Sequence, residues 1–142
     1  MSGLPLIIYA ASNNTNIGTA SQRPLTNGTS ARITGGTKDQ RLLQWFDITT
    51  FSQPPAFTFG NVSRTLPDVR APGTNITDLS IFKNTYFGPE QRLNLQYRIE
   101  MFAAFNTPQW GTPGTTVNSG SIGVISSASG SRVIQMALKL LW

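Results

Sequence analysis

The alternation of apolar and polar positions is sharpest over residues 92–105. Leu93, Leu95, Tyr97, Ile99 and Met101 hold the odd positions there, and Arg92, Asn94, Gln96, Arg98 and Glu100 the even ones. Successive side chains of an extended chain point to opposite faces, so this period predicts a strand with one apolar and one polar face. A helix would bring Leu93, Tyr97 and Arg98 together and smear the charges around its cylinder. The pattern recurs over 132–142, where Ile134, Met136, Leu138, Leu140 and Trp142 oppose Gln135, Ala137 and Lys139. A third segment, 76–87, alternates less cleanly. Leu79 and Ile81 oppose Asp78 and Ser80, but Lys83 falls on the apolar side and Phe82 on the polar side. Either a bulge shifts the register there, or Lys83 lies near a water boundary and snorkels toward it.

The connections differ in length. Gly88-Pro89-Glu90-Gln91 reads as a tight turn, whereas 106–131 is a long run of Gly, Ser, Thr, Asn and Pro. The chain divides near residue 75. In the first part, residues 1–75, a short apolar run at 4–9 predicts a strand. Residues 10–40 show neither period and read as loop. The stretch 42–51 holds the one helix-compatible apolar cluster, stopped by Pro54-Pro55. The expected class is all-β: an antiparallel meander of strands 76–87, 92–105 and 132–142 with long polar loops.

Composition narrows the chemistry. The 142 residues include no Cys and no His. Disulfides, thiolate zinc sites and Ser-His-Asp catalysis are therefore excluded. Six acidic residues leave little for a metal cage or a carboxylate pair, so no enzyme, cofactor or metal site is expected. The net charge of +5 and pI near 10.3 would suit nucleic acid, but the eight Arg and three Lys are scattered singly from Arg23 to Lys139, and no nucleic-acid partner is expected. No apolar run reaches the 18 or so residues of a membrane helix. The N-terminus lacks the charged start and longer apolar run of a signal peptide.

Two architectures fit such strands: a soluble β-rich secreted or adhesin-type binding module, or a membrane barrel. The module would bury the 93–105 face against the 134–142 face as a sandwich. In a barrel the apolar face meets lipid and the polar face lines water. Four features favour the barrel. The strands exceed the roughly 5–6 residues usual in globular sheets and reach the roughly 9–11 that cross a bilayer. Aromatics (Tyr86 and Phe87, Phe102, Phe105 and Trp110, Trp142) gather near strand ends, as interfacial girdles do. Short turns alternate with long loops. An amphipathic strand ends on Trp142. The orientation that follows puts 88–91 and Trp142 on the periplasmic side and 106–131 outside. Leu93, Leu95, Tyr97, Ile99, Met101, Ile134 and Met136 then face lipid. Arg98, Glu100, Gln135 and Lys139 face the lumen.

The stretch 94–111 resembles the penultimate strand of large TonB-dependent outer-membrane receptors, in the group with an N-terminal carboxypeptidase-regulatory-like domain. That group's pattern is R-x-E-x-F-N-x-F-N-x-P-x-F-G. Arg98, Glu100, Phe102, Phe105, Asn106, Pro108 and Gly111 match it, while Ala103 replaces Asn and Trp110 replaces Phe. Residues 57–73 and 78–84, Gln22-Arg23-Pro24 and the ending 132–142 are similar to the same group. The resemblance implies the last three or four strands of a transmembrane barrel of roughly 22 strands, in the outer membrane of a Gram-negative-type cell, with the plug and the remaining strands missing here. The chain is then expected to be a fragment of a transporter, non-catalytic, whose partners are outer-membrane lipid and the rest of the barrel. The resemblance also implies that Leu138, Leu140 and Trp142 form the signal read by the barrel assembly machinery.

The remaining motifs have plainer readings. Arg98 and Glu100, two apart on one face, read as an ion pair, and Asp68 and Arg70 as loop staples. Gly35-Gly36-Thr37-Lys38 lacks phosphate-loop spacing. The four Asn-x-Ser/Thr triplets, at Asn13, Asn27, Asn61 and Asn75, carry no weight in so Asn/Thr-rich a chain.

Overall fold

The computed structural model describes residues 3–18 and 21–142. Residues 1, 2, 19 and 20, which fall in the predicted N-terminal segment and the 10–40 loop, lie outside the described residues. The chain forms two compact units: Met1–Thr74 with Trp110–Ala128, and Asn75–Gln109 with Ser129–Trp142.

The first unit has little regular structure. Its elements are β1 (Leu25–Thr26), α1 (Lys38–Leu43), a 3-10 turn at Ile48–Thr50 and β2 (Phe51–Ser52), with β1 and β2 antiparallel. Leu6, Ile8, Ala31, Phe46, Phe51, Val62, Leu66, Val69 and Val117 form its core, with Trp45, Ala71 and Ile122 packed against them. Phe46 and Phe51 meet edge to face at 5.9 Å, a favoured aromatic geometry. The predicted strand at 4–9 is extended but makes only single bridges, Pro5 with Arg70 and Tyr9 with Thr116. The helix expected in 42–51 lies earlier. Thr37 caps it and Gln40 closes a capping box, a start signal stronger than the apolar cluster. The helix ends at Gln44, whose backbone is no longer helical; Trp45 then bends the chain and Phe46 bridges to Arg32 and enters the core.

Side-chain amides hold these loops together, as suits a chain with few charges. Buried Gln22 donates to the Thr58 carbonyl at 2.6 Å and accepts from the Asn14 N–H at 2.9 Å. Asn61 pairs with both backbone groups of Thr26. Asn27 accepts from the N–H and the hydroxyl of Thr29, and Asn13 does the same with Thr15. These two Asn-x-Thr triplets are thus turn-forming units.

The second unit is a sheet of β3 (Leu79–Phe87), β4 (Leu93–Phe102) and β7 (Val133–Leu141), in the order β3-β4-β7. Both pairings are antiparallel. The remaining short strands, β5 (Gln109–Trp110) and β6 (Ala128–Ser129), pair with each other. The turn between β3 and β4 is a 3-10 turn at Pro89–Gln91, entered through Gly88 at φ 84°. Strand β4 stops because Ala103 takes φ 49°, a left-handed conformation that breaks the pleat. The Asp78 carboxylate accepts the Ala103 N–H at 2.9 Å there. Buried Gln109 tethers the neighbouring backbone: it donates to Asn75 and Thr107 carbonyls and accepts the Asn75 N–H.

Candidate functional site

The most distinctive surface of the chain is the β3-β4-β7 sheet itself. The β3–β4 ladder is unbroken from Leu79 opposite Met101 to Phe87 opposite Leu93. The β4–β7 ladder runs from Asn94 opposite Leu141 to Phe102 opposite Val133. Directly opposed residues share a face, so the register sorts every side chain.

One face carries Leu93, Leu95, Tyr97, Ile99 and Met101 of β4. Beside them lie Ile134, Met136, Leu138 and Leu140 of β7, and Leu79, Ile81 and Phe87 of β3. Among its paired residues, only Lys83 and Thr85 interrupt this apolar surface. The Tyr97 hydroxyl reaches the Met136 sulfur at 3.3 Å. The other face carries Arg98, Glu100, Gln135 and Lys139, joined by Ser80, Asn84, Asn94 and Gln96. A polar network crosses it. Glu100 accepts from Arg98 on its own strand and from Gln135 on β7. Gln96 donates to Asn84 at 2.9 Å across to β3.

The sequence-predicted site residues within the strands are thus brought together on two faces. Trp142 lies just beyond β7 and is 92 % exposed. The unbroken register excludes a bulge at Lys83. It also divides the aromatics. Phe82, Tyr86 and Phe102 fall on the polar face and only Phe87 and Tyr97 on the apolar one, so Tyr86 and Phe87 do not form one girdle as expected. Adjacent strand residues cannot share a face. Sequence reasoning missed the Gln96–Asn84 bond, because it depends on which strands are neighbours.

The sheet is uncovered on its apolar side. Ile81, Met136 and Leu138 are more than half exposed. The sandwich expected for a soluble module is not formed, because β4 and β7 are hydrogen-bonded neighbours in one sheet. Their apolar faces lie side by side and cannot pack against each other. Strands β3 and β7 each leave one edge unpaired within this sheet, and among the described residues no barrel closes. Among the described residues, no helix is long and apolar enough to cross a membrane, and no group of three or more His, Cys, Asp or Glu is placed to hold a metal ion.

A sheet apolar on one face and polar on the other suits the wall of a barrel in lipid, provided its open edges are closed, since closure alone satisfies every backbone group there. No curated protein and no solved structure matches the chain. Residues 1–135 match the family model of the outer membrane beta barrel domain. The chain therefore belongs to this family of outer-membrane beta-barrel proteins.

Proposed function

We propose that the chain supplies wall strands and outward loops to a TonB-dependent outer-membrane transporter and catalyses nothing itself. The observation that carries this reading is the unbroken three-strand register, which puts an almost wholly apolar surface on one side and a charged network on the other. The apolar face, from Leu93 to Met101 and from Ile134 to Leu140, meets lipid. Arg98, Glu100, Gln135 and Lys139 line the water-filled interior. The open edges of β3 and β7 pair with further strands of the same barrel, and a plug occupies its lumen. Leu138, Leu140 and Trp142 supply the apolar and aromatic groups that the barrel assembly machinery reads. The resemblance at Arg98, Glu100, Phe102, Phe105, Asn106, Pro108 and Gly111 supports the TonB-dependent assignment.

Fractionation of cells expressing the chain tests the wall reading. Heat-modifiable, detergent-extracted material in the outer membrane, lost on Trp142→Ala, is expected. A soluble, monomeric, cooperatively folded chain without detergent would overturn it. For TonB dependence, deletion of the gene encoding this chain and deletion of TonB should give the same growth defect in the native cell. Normal growth of the TonB-deleted strain under the condition in which deletion of the chain's gene slows growth would rule it out.

A further inference from the structure

The first unit holds a cleft of about 500 Å³, within the range of roughly 300–1,000 Å³ typical of small-molecule sites. Arg32, Arg41 and Arg70 all line it, and Asp68 is the one carboxylate at its wall. In a chain whose cations are otherwise scattered, this gathers three guanidiniums around one cavity. Trp45 forms another part of the wall. Its indole N–H donates to the Arg70 carbonyl at 2.7 Å, and the Arg41 guanidinium stacks on its ring at 4.8 Å.

These cations are poorly neutralised. The Asp68 carboxylate is engaged by the Ser30 hydroxyl, and no ion pair joins it to an arginine among the described residues. Arg41 Nε is buried and has no hydrogen-bond partner there. The Arg32 guanidinium makes no hydrogen bond among the described residues, and Arg70 spends one N–H on the Gly3 carbonyl at 3.3 Å. Guanidinium forks match the paired oxygens of carboxylate, sulfate and phosphate groups.

We propose that this cleft binds a small ligand carrying two or more oxyanion groups, held by Arg32, Arg41 and Arg70 against the Trp45 wall. The inference stands apart from the barrel-wall reading, because every residue it uses belongs to the first unit.

The test titrates the purified full chain in detergent with citrate and with sucrose octasulfate, followed by calorimetry, with sucrose as the neutral control. At least one of the two anions is expected to bind saturably at one site per chain, and sucrose not at all. The anion that binds tells a carboxylate ligand from a sulfate-type one. Arg32→Gln and Arg70→Gln are each expected to weaken binding at least tenfold. Asp68→Asn keeps an acceptor for Ser30 while removing the opposing charge, and is expected to tighten binding severalfold, a gain that misfolding cannot produce. Arg64→Gln, outside the cleft, should change affinity less than twofold. Failure of both anions to bind, equal binding of sucrose, or an Arg64→Gln loss as large as that of Arg32→Gln would overturn the proposal.

Discussion

Lys83 stands directly across the ladder from Tyr97, at the middle of β3 and on the apolar face. With the register unbroken, no bulge turns this ammonium toward the polar side. Lysine on the lipid face of a barrel costs about 2–4 kcal/mol at the bilayer midplane and about 0–1 near the interfaces. Its stem can lie along Tyr97 while the charge reaches toward headgroups. Lys83→Leu is therefore expected to stabilise the inserted chain, by about 1–3 kcal/mol. The urea midpoint in lipid vesicles checks this. An unchanged midpoint would place Lys83 at the interface.

Glu100 joins two strands through one carboxylate. Its side chain is 18 % exposed, against 50 % for Arg98. Glu100→Ala leaves both Arg98 and Gln135 without their acceptor and is expected to cost about 1–2 kcal/mol. Glu100→Gln keeps an acceptor and should cost less. A double-mutant cycle with Arg98→Met should give a coupling of at most about 1 kcal/mol, since the guanidinium is half in solvent. A larger value would mean that the face is closed off from water.

Gln109 satisfies three backbone groups at once, two of them on Asn75. Gln109→Ala strands these groups, at a cost of about 1–3 kcal/mol. Amide exchange at Asn75 should accelerate, while exchange at Ile99, in the centre of the sheet, should hardly change. Uniform acceleration through the sheet would show that the tether is part of the sheet's own cooperative unit.

The β3–β4 turn stores backbone strain. Gly88 sits at φ 84° and ψ 176°, a region essentially reserved for glycine, and Glu90 and Gln91 both take positive φ near 55°. Gly88→Ala is expected to destabilise the hairpin by about 1–3 kcal/mol, its Cβ also pressing on Leu93 Cδ1 at 3.3 Å. Gln91→Gly should be neutral or stabilising, because glycine removes the left-handed penalty. Equal loss in both variants, read from thermal unfolding in detergent, would contradict this account.

How far the sequence reached is clearest at particular residues. Leu93 to Met101 alternate because consecutive side chains of an extended backbone point to opposite sides, and that local rule needs no neighbour. The same rule puts Tyr86 and Phe87 on opposite faces, so one girdle cannot contain both. The apolar cluster at 42–51 predicts the helix too late along the chain, because the Thr37–Gln40 capping box sets its start, although capping, too, is local and readable.

By itself the sequence determined the strand periodicity, the tight connection at 88–91 and the absence of His- and Cys-based chemistry, all of which depend on residue type and near neighbours. Only the tertiary structure decided that β4 lies between β3 and β7, that Lys83 stays on the apolar face, and that 110–128 packs with 1–74. It alone gathered Arg32, Arg41 and Arg70 around one cleft. Such arrangements rest on contacts between residues dozens of positions apart, such as Gln22 with Thr58 or Asn61 with Thr26. Polar loops without periodicity carry no local signal of which amide will find which carbonyl, so the pairing becomes visible only when the chain is folded.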